Sequence, residues 1–110
     1  MPIRIYPTTG FKKELKRIAR KHRSILSDIA DLSVKLKENP MMGVDLGQHV
    51  YKIRMAVSGT NKGKSGGARV ITYVLLANET VYLAEILLKS EHDTVDVNKV
   101  IQRLKDEGLL

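Results

Sequence analysis

Residues 50–73, VYKIRMAVSGTNKGKSGGARVITY, decide how this chain folds. Around the first half, in HVYKIRMAV, Tyr51, Ile53, Met55 and Val57 alternate with Lys52, Arg54 and Ala56. Such alternation is the mark of a strand with one buried and one open face. ARVITYVLL (68–76) reads as the returning strand of a hairpin, and the glycine-rich connection supplies positive φ or close backbone approach. If Val57 stood opposite Ala68, then Lys52, Arg54, Arg69 and Tyr73 would share one face. A slip of one residue would send Arg69 to the other side.

Outward from this hairpin, Ile3 to Pro7 reads as a short strand and Phe11, Leu15, Ile18 and Ala19 recur at helical spacing. Ile25, Ile29, Leu32 and Leu36 form a second helical stripe, with Ser24 as candidate N-cap and Pro40 ending it. A tight turn near residues 22–24 makes the two helices a hairpin, and MMGVDLGQ (41–48) reads as a loop. After a turn at Asn78-Glu79, Val81 to Leu88 is apolar enough to be a central strand. Asp96 or Thr94 caps a last helix with Val97, Val100, Ile101 and Leu104 inward and Gly108 near its end. The expected order is β-α-α-β-β-β-α, an α+β domain over residues 1–110 in which helices cover one face of a mainly antiparallel sheet.

Nineteen Lys and Arg against twelve Asp and Glu give a net charge of +7 and a pI near 9.8, which suits a polyanionic partner. Residues 1–57 carry the whole excess, with 12 cations and 5 acids. The chain has no cysteine, which excludes a disulfide framework and thiolate zinc sites and suits a reducing cytoplasm. Three scattered histidines offer no metal-ligand spacing, and GKSGG lacks the spacing of a Walker loop, so neither a metal nor another cofactor is expected. The start has no secretory pattern, and no apolar run reaches the roughly 18 residues that a transmembrane helix needs. The expected location is the cytoplasm, away from membranes.

The basic residues concentrate in two places. Lys12, Lys13, Lys16, Arg17 and Arg20 line the polar side of the first helix, where phosphate contact with structured RNA is the functional reading and solubility the plain one. Lys52, Arg54 and Arg69, with Lys62 and Lys64 in the loop, form the second group. Open strand faces often carry cations merely against edge pairing. Here, however, no acid occurs from residue 50 to 78, and unrelieved like charge costs stability.

YKIRM, GKSGGARVITY and LLKSE, in this order after a basic helical hairpin, resemble the RelE/HigB toxins of type II toxin-antitoxin systems, within the wider RelE/ParE superfamily and nearest its HigB-like branch. The resemblance implies a ribosome-dependent mRNA endonuclease with a microbial-ribonuclease-like fold. It also implies a cognate antitoxin, often a helix-turn-helix protein. Lys52 and Arg54 fall where the family's strand supplies catalytic cations, Arg69 falls on its loop-exit arginine, and Lys89 lies close to its late basic position. Some members carry a catalytic tyrosine near the C-terminus, whereas this chain has none after Tyr82.

RNA cleavage by the neighbouring 2′-hydroxyl needs no protein nucleophile, only proton transfer and stabilisation of the crowded phosphorane. Arg69 suits the phosphate and Lys52 is the candidate general base. His92 is the candidate general acid, with Tyr73 and Lys89 as alternatives, while His22 and His49 read as structural or surface residues. Two other readings stay open: a ParE-like inhibitor of gyrase, and an inactive module that binds only an antitoxin.

Overall fold

The computed structural model describes residues 2–59, 67–89 and 94–110. Its elements are β1 (Arg4–Pro7), α1 (Thr9–Ala19), α2 (Ile25–Glu38), β2 (Val44–Asp45), β3 (Val50–Met55), β4 (Ala68–Leu75), β5 (Thr80–Leu88) and α3 (Val97–Asp106). The strands form one sheet in the order β1-β5-β4-β3-β2, antiparallel except where β1 runs parallel to β5. The expected α+β order holds, with one addition: the short strand β2 lies inside the stretch read as a loop, pairing Val44 with Lys52.

Two apolar layers hold the sheet. Phe11 and Ile18 of α1 and Ile25, Ile29, Leu32 and Leu36 of α2 pack on Tyr51, Ile53, Met55, Val70 and Val81. Val100 and Leu104 of α3 pack instead on Val50, Ile71, Tyr73 and Tyr82. The helices therefore cover both faces, which corrects the expectation of one. Alternation explains the division, since Val50 and Tyr51 are neighbours on β3 and must point to opposite sides.

Local chemistry sets the ends of the elements. Thr8 caps α1, its hydroxyl accepting from Phe11 N–H at 3.2 Å and donating to the Leu83 carbonyl at 3.0 Å. Asp96, and not Thr94, caps α3 by accepting from Lys99 N–H at 3.2 Å. Ser24 occupies the N-cap position of α2 without capping it, because its hydroxyl donates to the Ser58 carbonyl. Asp28, one turn into α2, accepts from both Ser58 N–H and Ser58 hydroxyl. Together these bonds pin the chain as it leaves β3.

At the edge, Arg4 N–H and Thr8 N–H both donate to β5 backbone carbonyls or its lead-in, to Glu79 at 2.8 Å and Leu83 at 3.1 Å. By the two-residue period Pro7 then sits at an outward position, where it has no N–H to offer a further strand. This edge is blunted.

Candidate functional site

The β3–β4 ladder pairs Met55 with Ala68, Arg54 with Arg69, Lys52 with Ile71 and Val50 with Tyr73. This differs by two residues from the register assumed from sequence. A two-residue offset preserves the face, so Lys52, Arg54, Arg69 and Tyr73 do lie on one side. Gly67 makes the close start of β4 possible: a Cβ there would lie 2.2 Å from the Met55 carbonyl oxygen.

The four residues differ in what they offer a ligand. Arg54 is exposed and Lys52 half-buried. Arg69 is only 1% exposed, the largest fully buried side chain, and its Nη1 donates to the Ala68 carbonyl at 3.2 Å. Sequence reading expected Arg69 to meet a phosphate directly, but in this conformation it lies beneath the surface. Tyr73 sits four residues farther along β4, about 13 Å away by strand rise. It is packed under α3, 9% exposed, with its ring 5.9 Å from His49 and 6.4 Å from Tyr82. That places it away from the Arg54–Arg69 row.

Lys89 is exposed, and its N–H donates to the Gly67 carbonyl at 3.0 Å, so it stands beside the start of β4 at the arginine end of the sheet. Lys62, Lys64 and His92 lie outside the described residues. Lys12, Lys13, Lys16, Arg17 and Arg20 are all exposed on or just after α1, and Arg17 pairs with Glu14 at 3.0 Å. Because α1 packs on the face opposite Lys52 and Arg54, the two basic groups occupy different layers. His22 is half-buried at the turn between α1 and α2. His49 is exposed with φ of 70°, in a turn where Gln48 also has positive φ.

One residue of this face was not among those singled out from sequence. Glu85 of β5 stands opposite Ile71 and is ion-paired with Arg103 of α3. Simple alternation with Val81 and Leu83 would send Glu85 into the core. A β-bulge prevents that: Thr72 pairs with Leu83 and Ile71 with Glu85, leaving Ala84 as the extra residue. The one available clue was a lone carboxylate in the apolar run VYLAEILL.

Among the described residues no group of three His, Cys, Asp or Glu is placed to hold a metal ion, and no helix is long and apolar enough to cross a membrane. A groove of about 1000 Å³ runs between α1, β5 and α3, lined by Lys13, Glu85, Leu87, Lys99 and Arg103 among others.

The architecture has known counterparts. An arginine double mutant of the E. coli toxin RelE in the free state superposes with a TM-score of 0.59 at 16% identity, over 96% of this chain and 97% of that one. The isolated E. coli RelE toxin gives 0.56 at 18% identity, over 93% and 98%. At such identities the likeness speaks for the fold. No curated protein matches by sequence. The family model described as the RelE toxin of the RelE/RelB toxin-antitoxin system, however, matches residues 3–106, nearly every element just described. With sequence match and fold in agreement, the chain belongs to the RelE toxin family.

Proposed function

We propose that this protein is the toxin of a toxin-antitoxin pair and acts as a ribosome-dependent mRNA endonuclease that needs no metal ion. The observation that carries the reading is the basic row on β3 and β4: exposed Arg54 directly opposite Arg69, with half-buried Lys52 next on the same face. Cations held in place by a strand pair are already oriented where charge develops on a phosphorane, which is the main requirement of cleavage by a 2′-hydroxyl. In this reading Arg54 and Lys52 meet the phosphate. Arg69 supports them from below, or reaches the phosphate itself once uncovered. Lys89, at the same end, and His92 are the donors to test for the leaving 5′-oxygen, and Lys62 and Lys64 contribute phosphate contact.

The outward cations of α1, Lys12, Lys13, Lys16, Arg17 and Arg20, lie across the sheet from this row. They would hold a different segment of RNA from the one being cut, as a protein seated between ribosomal RNA and message must do. The partners in this reading are a cognate antitoxin of the helix-turn-helix kind and mRNA on the ribosome, both in the cytoplasm.

Burial of Arg69 favours a second reading, a protein that binds gyrase or an antitoxin and has no use for a displayed arginine. Tightly induced expression of the wild type and of Arg54→Ala and Arg69→Ala, with cuts mapped in mRNA with and without translating ribosomes, tests both. Cuts on ribosomes only, lost in the variants, support the nuclease. Growth arrest without cuts would replace it with the gyrase reading, and no effect with the binding module.

A further inference from the structure

We propose that the groove along the free edge of β1 is a binding site for one unpaired nucleotide of structured RNA, with Tyr6 as its stacking platform. The inference extends the RNA contact proposed above for α1, and it concerns RNA that is held, not RNA that is cut. The groove has a volume of about 720 Å³ and is lined by Arg4 and Tyr6 of β1, Lys12 of α1, Lys37 of α2, Tyr82 and Leu109, among others. None of its lining residues is acidic. The larger α1–β5–α3 groove, by contrast, carries five acids against three cations and offers a phosphate no excess of positive charge.

Tyr6 makes the β1 groove more than a solvated cationic edge. It stands opposite Tyr82 in the parallel β1–β5 ladder, and the two rings meet edge to face at 5.7 Å. That contact fixes the tilt of the Tyr6 ring while 45% of the residue stays exposed. Tyr51, Tyr73, Tyr82 and Phe11 are all buried, so Tyr6 is the one Tyr or Phe ring open enough for a base to stack on. Arg4, also exposed, lies two residues earlier on the same side of β1, about 7 Å along the strand. A base on Tyr6 therefore leaves its own phosphate beside Arg4. Lys12 and Lys37 flank the edge from the helical side, where their flexible stems reach the neighbouring phosphates.

Backbone bonding chooses RNA over a peptide. Arg4 N–H and Thr8 N–H are turned toward β5 and Pro7 has no N–H, so within β1 Ile5 alone offers one outward, too little for an added strand. Position chooses structured RNA over the message. Lys12 belongs to the cation row of α1 and makes the groove continuous with it, whereas α3, packed on Tyr82, Tyr73 and Ile71, stands between Tyr6 and the Lys52–Arg54 row.

The test is binding of the purified full chain to an RNA duplex with one bulged nucleotide and to the same duplex without it, over a range of salt. Tyr6→Ala should weaken binding to the bulged duplex by about tenfold, leave the fully paired duplex unaffected and keep the salt dependence of the wild type. Tyr6→Phe should restore the affinity. Arg4→Ala and Lys37→Ala should each reduce the slope of log affinity against log salt by about one, as the loss of a single phosphate contact does. Lys35→Ala, exposed on α2 but outside the groove, should change neither affinity nor slope. The chain has no tryptophan and Tyr6 is its one exposed tyrosine, so the bulged duplex should quench tyrosine fluorescence. Tyr6→Phe should abolish that quenching without loss of binding. If Tyr6→Ala fails to fold, the quenching and the Tyr6→Phe variant decide.

Equal binding by Tyr6→Ala and wild type, an equal loss on both duplexes, or binding without quenching would overturn the proposal. So would a concentration-dependent dimer that Tyr6→Ala disrupts, which would give the groove to a second copy of the chain. Ribosome binding that Tyr6→Ala weakens only when message is present would overturn the assignment to structured RNA. A wild type that binds the bulge but makes no cuts would leave this site standing and remove only the nuclease reading. Cuts by a wild type that ignores the bulge would do the reverse.

Discussion

Arg54 and Arg69 face each other directly across the β3–β4 ladder, yet one guanidinium is exposed and the other is sealed beneath the surface. Like charges directly opposite on a sheet are unfavourable by up to about 1 kcal/mol. Removing the exposed member should therefore relieve the fold while harming the site. Arg54→Gln is expected to leave stability unchanged or raise it by up to about 1 kcal/mol in urea denaturation. If the proposed nuclease reading holds, cleavage of ribosome-bound mRNA by the same variant should drop by at least about tenfold, the loss of one charge-assisted phosphate contact.

Arg69 should behave in the opposite way. Arg69→Ala empties the volume of the largest fully buried side chain and should cost about 2–5 kcal/mol. Arg69→Met fills most of that volume and should cost less than half as much. Both should be inactive if the charge is needed. A Met variant that is stable and fully active would remove Arg69 from the site.

Gly67 has no room for a side chain, because its Cβ would lie 2.2 Å from a backbone oxygen of Met55. Backbone cannot swing away as a side-chain tip can. Gly67→Ala should cost at least about 2 kcal/mol, read by chemical denaturation, and slacken the Arg54–Arg69 pairing that begins two residues later.

The α3 cap separates two candidates that look alike in sequence. Asp96→Ala should cost about 1 kcal/mol through the lost bond to Lys99 N–H, whereas Thr94→Ala should be neutral. Thermal melts of the two variants check this.

Asp28 accepts two hydrogen bonds from Ser58 on the far side of the turn that leaves β3. Asp28→Ala should lower global stability by about 1 kcal/mol. Amide exchange should speed up at Ser58 while the β4 and β5 amides keep their ranking.

Element order, the basic strand and its return were legible from residues 1–110 because they rest on local periodicity and turn chemistry. The placing of Lys52, Arg54 and Arg69 on one face survived an error in register because the error was even, and a sheet repeats its faces every two residues. The almost wholly apolar β5 hid its own arrangement: a run without alternation, broken only by Glu85, carries little mark of which side each residue takes. Only the assembled sheet, with β1 parallel to β5 on one side and β4 on the other, admits the bulge at Ala84 and turns Glu85 away from the core. Burial of Arg69 is likewise a matter of tertiary packing: it stands on a central strand between Arg54 on β3 and Leu87 on β5 and is almost wholly buried, which its place in the linear sequence does not reveal. The linear chain thus determined which residues are cationic and which elements carry them. Tertiary packing decided which of those charges meets water, because exposure is set by contacts between residues far apart in sequence.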